Sequence, residues 1–159
     1  MSNPLQILML EDSSSDAKLI EIQLKDGDIS WVKDAPGKVV KVISSLLEYL
    51  PPEYKYKILF MRREIAEILA SQQQMLIRRG ESSDGDDQKM AEQFQEHLKR
   101  VRVWLANQPN MEVHYVDYNA LMADPDPEIK AVAEFLGLTD DLDAMLAVPD
   151  KKLYRQKAD

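Results

Sequence analysis

Arg62 and Arg63 close an apolar run that starts at Tyr56, and Ser71 follows Arg63 by eight residues, about two helical turns further on. A guanidinium offers a planar fork of N–H donors and a serine one O–H, donor types that can serve an oxyanion together. A plainer reading stands beside it: an arginine at a helix start, bonded to a carboxylate, and a solvated serine. Three further apolar runs also end in polar groups. Glu11-Asp12 follow Ile7 to Leu10, Lys41 to Ser44 close the run that begins at Val39, and Asp117-Tyr118 follow Val113 to Val116. Glu11 and Asp12 either neutralise Arg62, Arg63 or Lys41 or hold Mg2+, and pairing with the basic strand ends is the simpler assignment.

Other candidates for chemistry are fewer. His97 and His114 stand 17 residues apart in a chain without cysteine, so they read as packing or surface side chains and no metal site is assigned. Asp84, Asp86 and Asp87 lack the spacing of a calcium loop and read as solvated. Gly37-Lys38 does not make a phosphate-binding loop, because the glycine required five residues earlier is Val32.

These groups need a scaffold. The 159 residues suit a single domain, and 45% hydrophobic composition supplies its core without disulfides. Twenty Lys and Arg against 28 Asp and Glu give −8, which argues against nucleic acid or an anionic membrane as partner and leaves only local anion sites. No basic leader precedes the short run Ile7 to Leu10, so neither export nor membrane insertion is expected, and the cytoplasm is the default location.

Short apolar runs alternate with helical periods, the pattern of a parallel sheet covered by helices. Strands are expected over 6–10, 39–43, 56–61 and 113–116. Helices are expected over 16–24, briefly over 44–50 before Pro51-Pro52, over 64–79 with Gly80 as cap, and from Met90 to Leu105. Asp126 and Pro127 read as the N-cap and first residue of another helix that Gly137 ends, and Thr139 as the cap of a last one reaching about residue 147. Residues 80–87 read as a mobile acidic loop. The expected fold is α/β: a mainly parallel four-stranded sheet with helices on both faces, whose ligands gather beyond the carboxyl ends of the strands.

The segment from Phe60 to Ser71 resembles the motif by which PAPS-dependent sulfotransferases hold the 3'-phosphate of 3'-phosphoadenosine 5'-phosphosulfate (PAPS). Arg63 and Ser71 match its arginine and serine. Asp28-Ile29-Ser30-Trp31 and Gly37 to Ile43 are similar to the family strand that leads to a catalytic lysine, which Lys41 matches. Tyr115 to Leu121, Asp124-Pro125 and Glu134-Phe135-Leu136-Gly137-Leu138 resemble its Y-E-x-L, DP and FLGL segments, with Tyr118 as the tyrosine near adenine. The tail from Lys152 to Gln156 resembles the ending of small bacterial members. The resemblance spans roughly residues 26–156 and implies an abbreviated sulfotransferase core of the P-loop NTPase type.

The departures bear on activity. Asn119 replaces the family's acidic residue, Ile43 stands where cytosolic members place a histidine base, and the glycine-rich loop for the 5'-phosphosulfate is absent. Residues 1–25 instead resemble the first strand and helix of a response-regulator receiver, whose third strand would need a phosphoacceptor aspartate where Arg62-Arg63 stand. The resemblance therefore implies a half-site for PAPS or adenosine 3',5'-bisphosphate, made of Arg63, Ser71 and Tyr118, with weak or no sulfonyl transfer to a hydroxyl or amine through Lys41. Alternatives are a non-catalytic interaction module, completed by a protein partner or a second copy of the chain, and a degenerate receiver-like protein.

Overall fold

The computed structural model describes residues 5–9, 32, 34, 38–78 and 87–150. Four strands, β1 (Leu5–Met9), β2 (Val39–Val42), β3 (Tyr56–Arg62) and β4 (Met111–Asp117), form one sheet in the order β2-β1-β3-β4. Every neighbouring pair is parallel. A 3-10 turn, Ser44–Tyr49, follows β2. Helices α1 (Ile65–Arg78) and α2 (Asp87–Ala106) lie between β3 and β4. Helices α3 (Tyr118–Ala123) and α4 (Pro125–Leu136) follow β4, and a 3-10 turn, Thr139–Asp141, leads into α5 (Leu142–Leu146).

Alternation along β3 sets the two faces of the sheet. Tyr56, Ile58 and Phe60 are buried on one face, opposite Met111, Val113 and Tyr115 of β4, and the Phe60 and Tyr115 rings meet at 5.4 Å. Against this face pack Leu46, Leu47 and Leu50 from the turn after β2, and Leu98, Val101, Trp104 and Leu105 of α2. Lys57 and His114 point the other way and meet α4. The Lys57 ammonium donates to the Phe135 carbonyl and lies 5.1 Å from that ring's centre, while His114 stacks on Phe135 at 5.3 Å. Helices thus cover both faces.

Several boundaries differ from expectation. The helix expected from Asp126-Pro127 starts two residues earlier, with Asp124 as N-cap and Pro125 first. Asp124 is fixed there because its N–H donates to the Ala120 carbonyl and ends α3. Thr139 begins a 3-10 turn instead of capping the last helix, because the Asp141 N–H bonds back to Leu138 O across one tight turn. Gly137 does end α4, in the left-handed conformation at φ 73°. The expected helix over 16–24 and the Gly80 cap lie outside the described residues, as does the acidic loop apart from Asp87, which opens α2. Among the described residues no helix is long and apolar enough to cross a membrane.

Candidate functional site

The order β2-β1-β3-β4 reverses direction at β1 and β3, so the crevice favoured by ligands of open parallel sheets opens beyond the carboxyl ends of these strands. There β3 delivers Arg62 and Arg63. In-register pairing sets Arg62 opposite Asp117, which brings Tyr118 and Asn119 beside Arg63 although they are more than 50 residues away in sequence. The Arg63 guanidinium carbon lies 5.0 Å from the centre of the Tyr118 ring, within cation–π range. Arg62 sits similarly over Tyr115, at 5.7 Å.

Beneath Arg63 lies a carboxylate. Glu67 stands one helical turn further along α1, and its Oε2 accepts from Arg63 Nε at 2.8 Å. Glu67 is only 2% exposed, against 20% for the Arg63 side chain, so the pair belongs to the buried kind, in which losing either partner is costly. Its Oε1 accepts from Asn119 Nδ2 at 3.0 Å, and Asn119 Oδ1 accepts the Glu64 N–H at 3.3 Å. One asparagine therefore joins the start of α1 to the start of α3. Asp117 holds the other side of the corner: its carboxylate accepts the Ala120 N–H at 2.9 Å as N-cap of α3, and its own N–H donates to Glu128 at 3.3 Å. Between these groups opens a cleft of about 350 Å³, lined by Arg62, Arg63, Glu64, Asp117 and Asn119.

Of the residues picked from the sequence, Arg63 and Tyr118 come together. Ser71 lies in α1 two turns beyond Arg63, with its side chain outside the described residues. Lys41 is not brought against Arg63. It stands on edge strand β2 level with Leu8 of β1 and hence with Leu59 of β3, about 10 Å across the sheet from β3 and about 13 Å short of Arg63 along it. Glu11 and Asp12, expected to neutralise the arginines, lie outside the described residues; the partner in view is Glu67. Its signal in the sequence was the four-residue spacing from Arg63, the ion-pair spacing of a helix. His97, expected to be a packing or surface residue, forms a 2.8 Å hydrogen bond with Ser44, far from this cleft in sequence.

A family model described as the sulfotransferase family matches residues 25–142, well over half of the chain. The chain belongs to the sulfotransferase family. The matched span runs from before β2 to the start of α5 and includes Lys41, Arg63, Ser71 and Tyr118, while β1 lies ahead of it. No curated protein matches the sequence. Within this sulfotransferase-family chain a ligand in the cleft would meet Arg62, Arg63, Glu64, Asp117 and Asn119 at the carboxyl edge of the sheet, with Glu67 buried beneath Arg63.

Proposed function

We propose that this sulfotransferase-family protein keeps the half of the donor site that binds the 3'-phosphoadenosine part of PAPS, on an abbreviated core of the P-loop NTPase type. Arg63 and Ser71 would hold the 3'-phosphate and Tyr118 the adenine side. The observation that carries the reading is Arg63, seated over the Tyr118 ring at the mouth of a cleft beyond β3. The charges around it limit affinity: Arg62 and Arg63 face Glu64, Asp117 and the underlying Glu67, so a dianion gains little from the net field. With no glycine-rich loop to cradle a 5'-phosphosulfate, the protein is weakly active or inactive in sulfonyl transfer, and adenosine 3',5'-bisphosphate is its more fitting ligand. In any transfer the acceptor hydroxyl or amine would bond to sulfur as the bridging bond to the 5'-phosphate breaks, with Lys41 steadying the departing oxygen.

Calorimetry with adenosine 3',5'-bisphosphate tests this. The expected result is millimolar to high-micromolar binding, weakened at least tenfold in Arg63→Lys, which keeps the charge and loses the fork. Lys41→Ala should leave nucleotide binding intact and remove any transfer. No heat at millimolar ligand, or binding indifferent to Arg63→Lys, would sink the assignment.

A further inference from the structure

A second cavity, of about 410 Å³, lies between the turn after β2 and helix α2. It is separate from the Arg63 cleft. The two share no lining residue, and at the register Val42–Met9–Phe60 β1 stands between β2 and β3, which are about 10 Å apart across two strand spacings. On its floor Ser44, only 9% exposed, has its Oγ 2.8 Å from His97 Nε2. Burial and then the nearby Arg100 hold the His97 ring below the ordinary histidine range, which favours the neutral ring, and in its Nδ1–H tautomer Nε2 can accept the Ser44 proton. Glu48, on the same wall, acts the opposite way and favours the imidazolium once a proton has arrived.

Arg100 lines the cavity and makes no ion pair among the described residues, so its guanidinium can meet a developing oxyanion. Leu47, Val101 and Trp104 form the apolar wall. The charges of Glu48 and Arg100 cancel, which suits a neutral ligand better than a free carboxylate. The volume falls within the range of small-molecule sites.

We propose that Ser44 and His97 form a nucleophile–base pair that accepts acyl groups from small, neutral aryl esters. Ser44 Oγ bonds to the ester carbonyl carbon while its proton passes to His97 Nε2. The carbon–oxygen bond to the aryl group then breaks, and the aryloxide leaves with the electron pair. His97 gives up its proton to the departing aryloxide or to solvent, which restores the neutral ring. Water next attacks the acyl-serine, His97 takes a proton from it, and the carboxylic acid departs as Ser44 regains its hydrogen. This activity goes beyond the nucleotide reading and uses none of its residues.

The test is incubation of the full chain with p-nitrophenyl acetate, following p-nitrophenolate release and mapping the acetyl adduct by peptide mass. The expected result is an adduct on Ser44, and release that falls at least tenfold in Ser44→Ala and in His97→Asn while Lys130→Ala, at an exposed position on α4, reacts as the unaltered chain does. Release should rise with pH through an ionisation below 6.5, the ordinary histidine value. Adducts on lysines alone, release unchanged in Ser44→Ala, or no release above buffer would each overturn the proposal. Mapping a fluorophosphonate adduct on the unaltered protein decides the same question should a variant fail to fold: label on Ser44 supports the pair, and its absence refutes it.

Discussion

Glu67 offers the sharpest test of how the Arg63 corner is held together. Glu67→Ala removes a carboxylate that is 2% exposed, taking the 2.8 Å bond from Arg63 Nε and the 3.0 Å bond from Asn119 Nδ2 with it. Breaking one side of a buried ion pair costs about 3–5 kcal/mol, but Arg63 keeps 20% exposure and can regain some hydration, which places the expectation near the lower end, about 3 kcal/mol. At about 2–4 °C per kcal/mol for a chain of this size, the melting temperature should fall by about 6–12 °C. Glu67→Gln keeps an acceptor for Asn119 but sets an amide NH2 against Arg63 Nε, losing the charge and that bond, so about 2 kcal/mol is expected. Arg63→Met should cost more than Glu67→Gln, because it strands the less exposed of the two charges. Urea denaturation at constant slope measures all three, and the Glu67→Gln/Arg63→Met double variant closes the cycle with a coupling of at least about 1 kcal/mol. Additive single losses, or an Arg63→Met cost under about 1 kcal/mol, would refute the view that a buried charge pair anchors this corner.

Three further outcomes can be checked. Gly137→Ala places a Cβ with nothing within 4 Å, so its cost is the left-handed backbone alone, about 1–2 kcal/mol by urea denaturation; a neutral result would mean φ is not held near 73°. Tyr56→Phe removes the 2.7 Å bond to the Pro51 carbonyl and should cost about 1–1.5 kcal/mol. Burial, with smaller contributions from Glu53 and Tyr54, holds the Tyr56 hydroxyl well above the ordinary value of 10.0, so its share of stability is complete below that pH and is lost as pH rises further; tyrosinate absorbance should show a slow fraction that titrates only on unfolding. For His97 the sign is opposite to that of a paired histidine. Its folded pKa is depressed, so the unfolded chain binds the proton more readily, and stability is complete above about pH 6.5 and declines below it; denaturation curves at pH 7.5 and 5.5 should differ for the native chain and less for His97→Asn.

The sheet was legible because its strands carry consecutive apolar residues, and β3 keeps the alternation that buries Tyr56, Ile58 and Phe60. Strand β4 outran the expected 113–116 because pairing with β3 extends to Met111 and Asp117: Met111 continues the alternation of Val113 and Tyr115 across the polar Glu112, and Asp117 pairs opposite Arg62. Helix α3 was not anticipated: six residues hold too little periodicity, and the Asp117 cap on the Ala120 N–H defines it. The repeat Asp124-Pro125-Asp126-Pro127 offers two equivalent helix starts, and only the bond that ends α3 at Asp124 selects the first. At the cleft, Arg63 and Tyr118 were picked from their neighbours in sequence, and the pairing of β3 with β4 brings them together. Glu67 was not singled out, because the acidic partner was sought on another strand and not one turn away. Asn119 appeared only as a departure from the family residue, yet it faces a buried carboxylate, where an amide donor is favourable and a second acid would repel. The Ser44–His97 bond joins groups 53 residues apart and left no local trace.

Asn119 bonds both to Glu67 in α1 and, through Glu64, to the residue just ahead of that helix. The two strand-to-helix corners therefore share one latch, so any ligand that draws the Arg63 guanidinium away from Glu67 also slackens the corner at Tyr118. Amide hydrogen exchange at Ala120, whose N–H the Asp117 carboxylate accepts, would register occupancy of the Arg63 mouth without touching it.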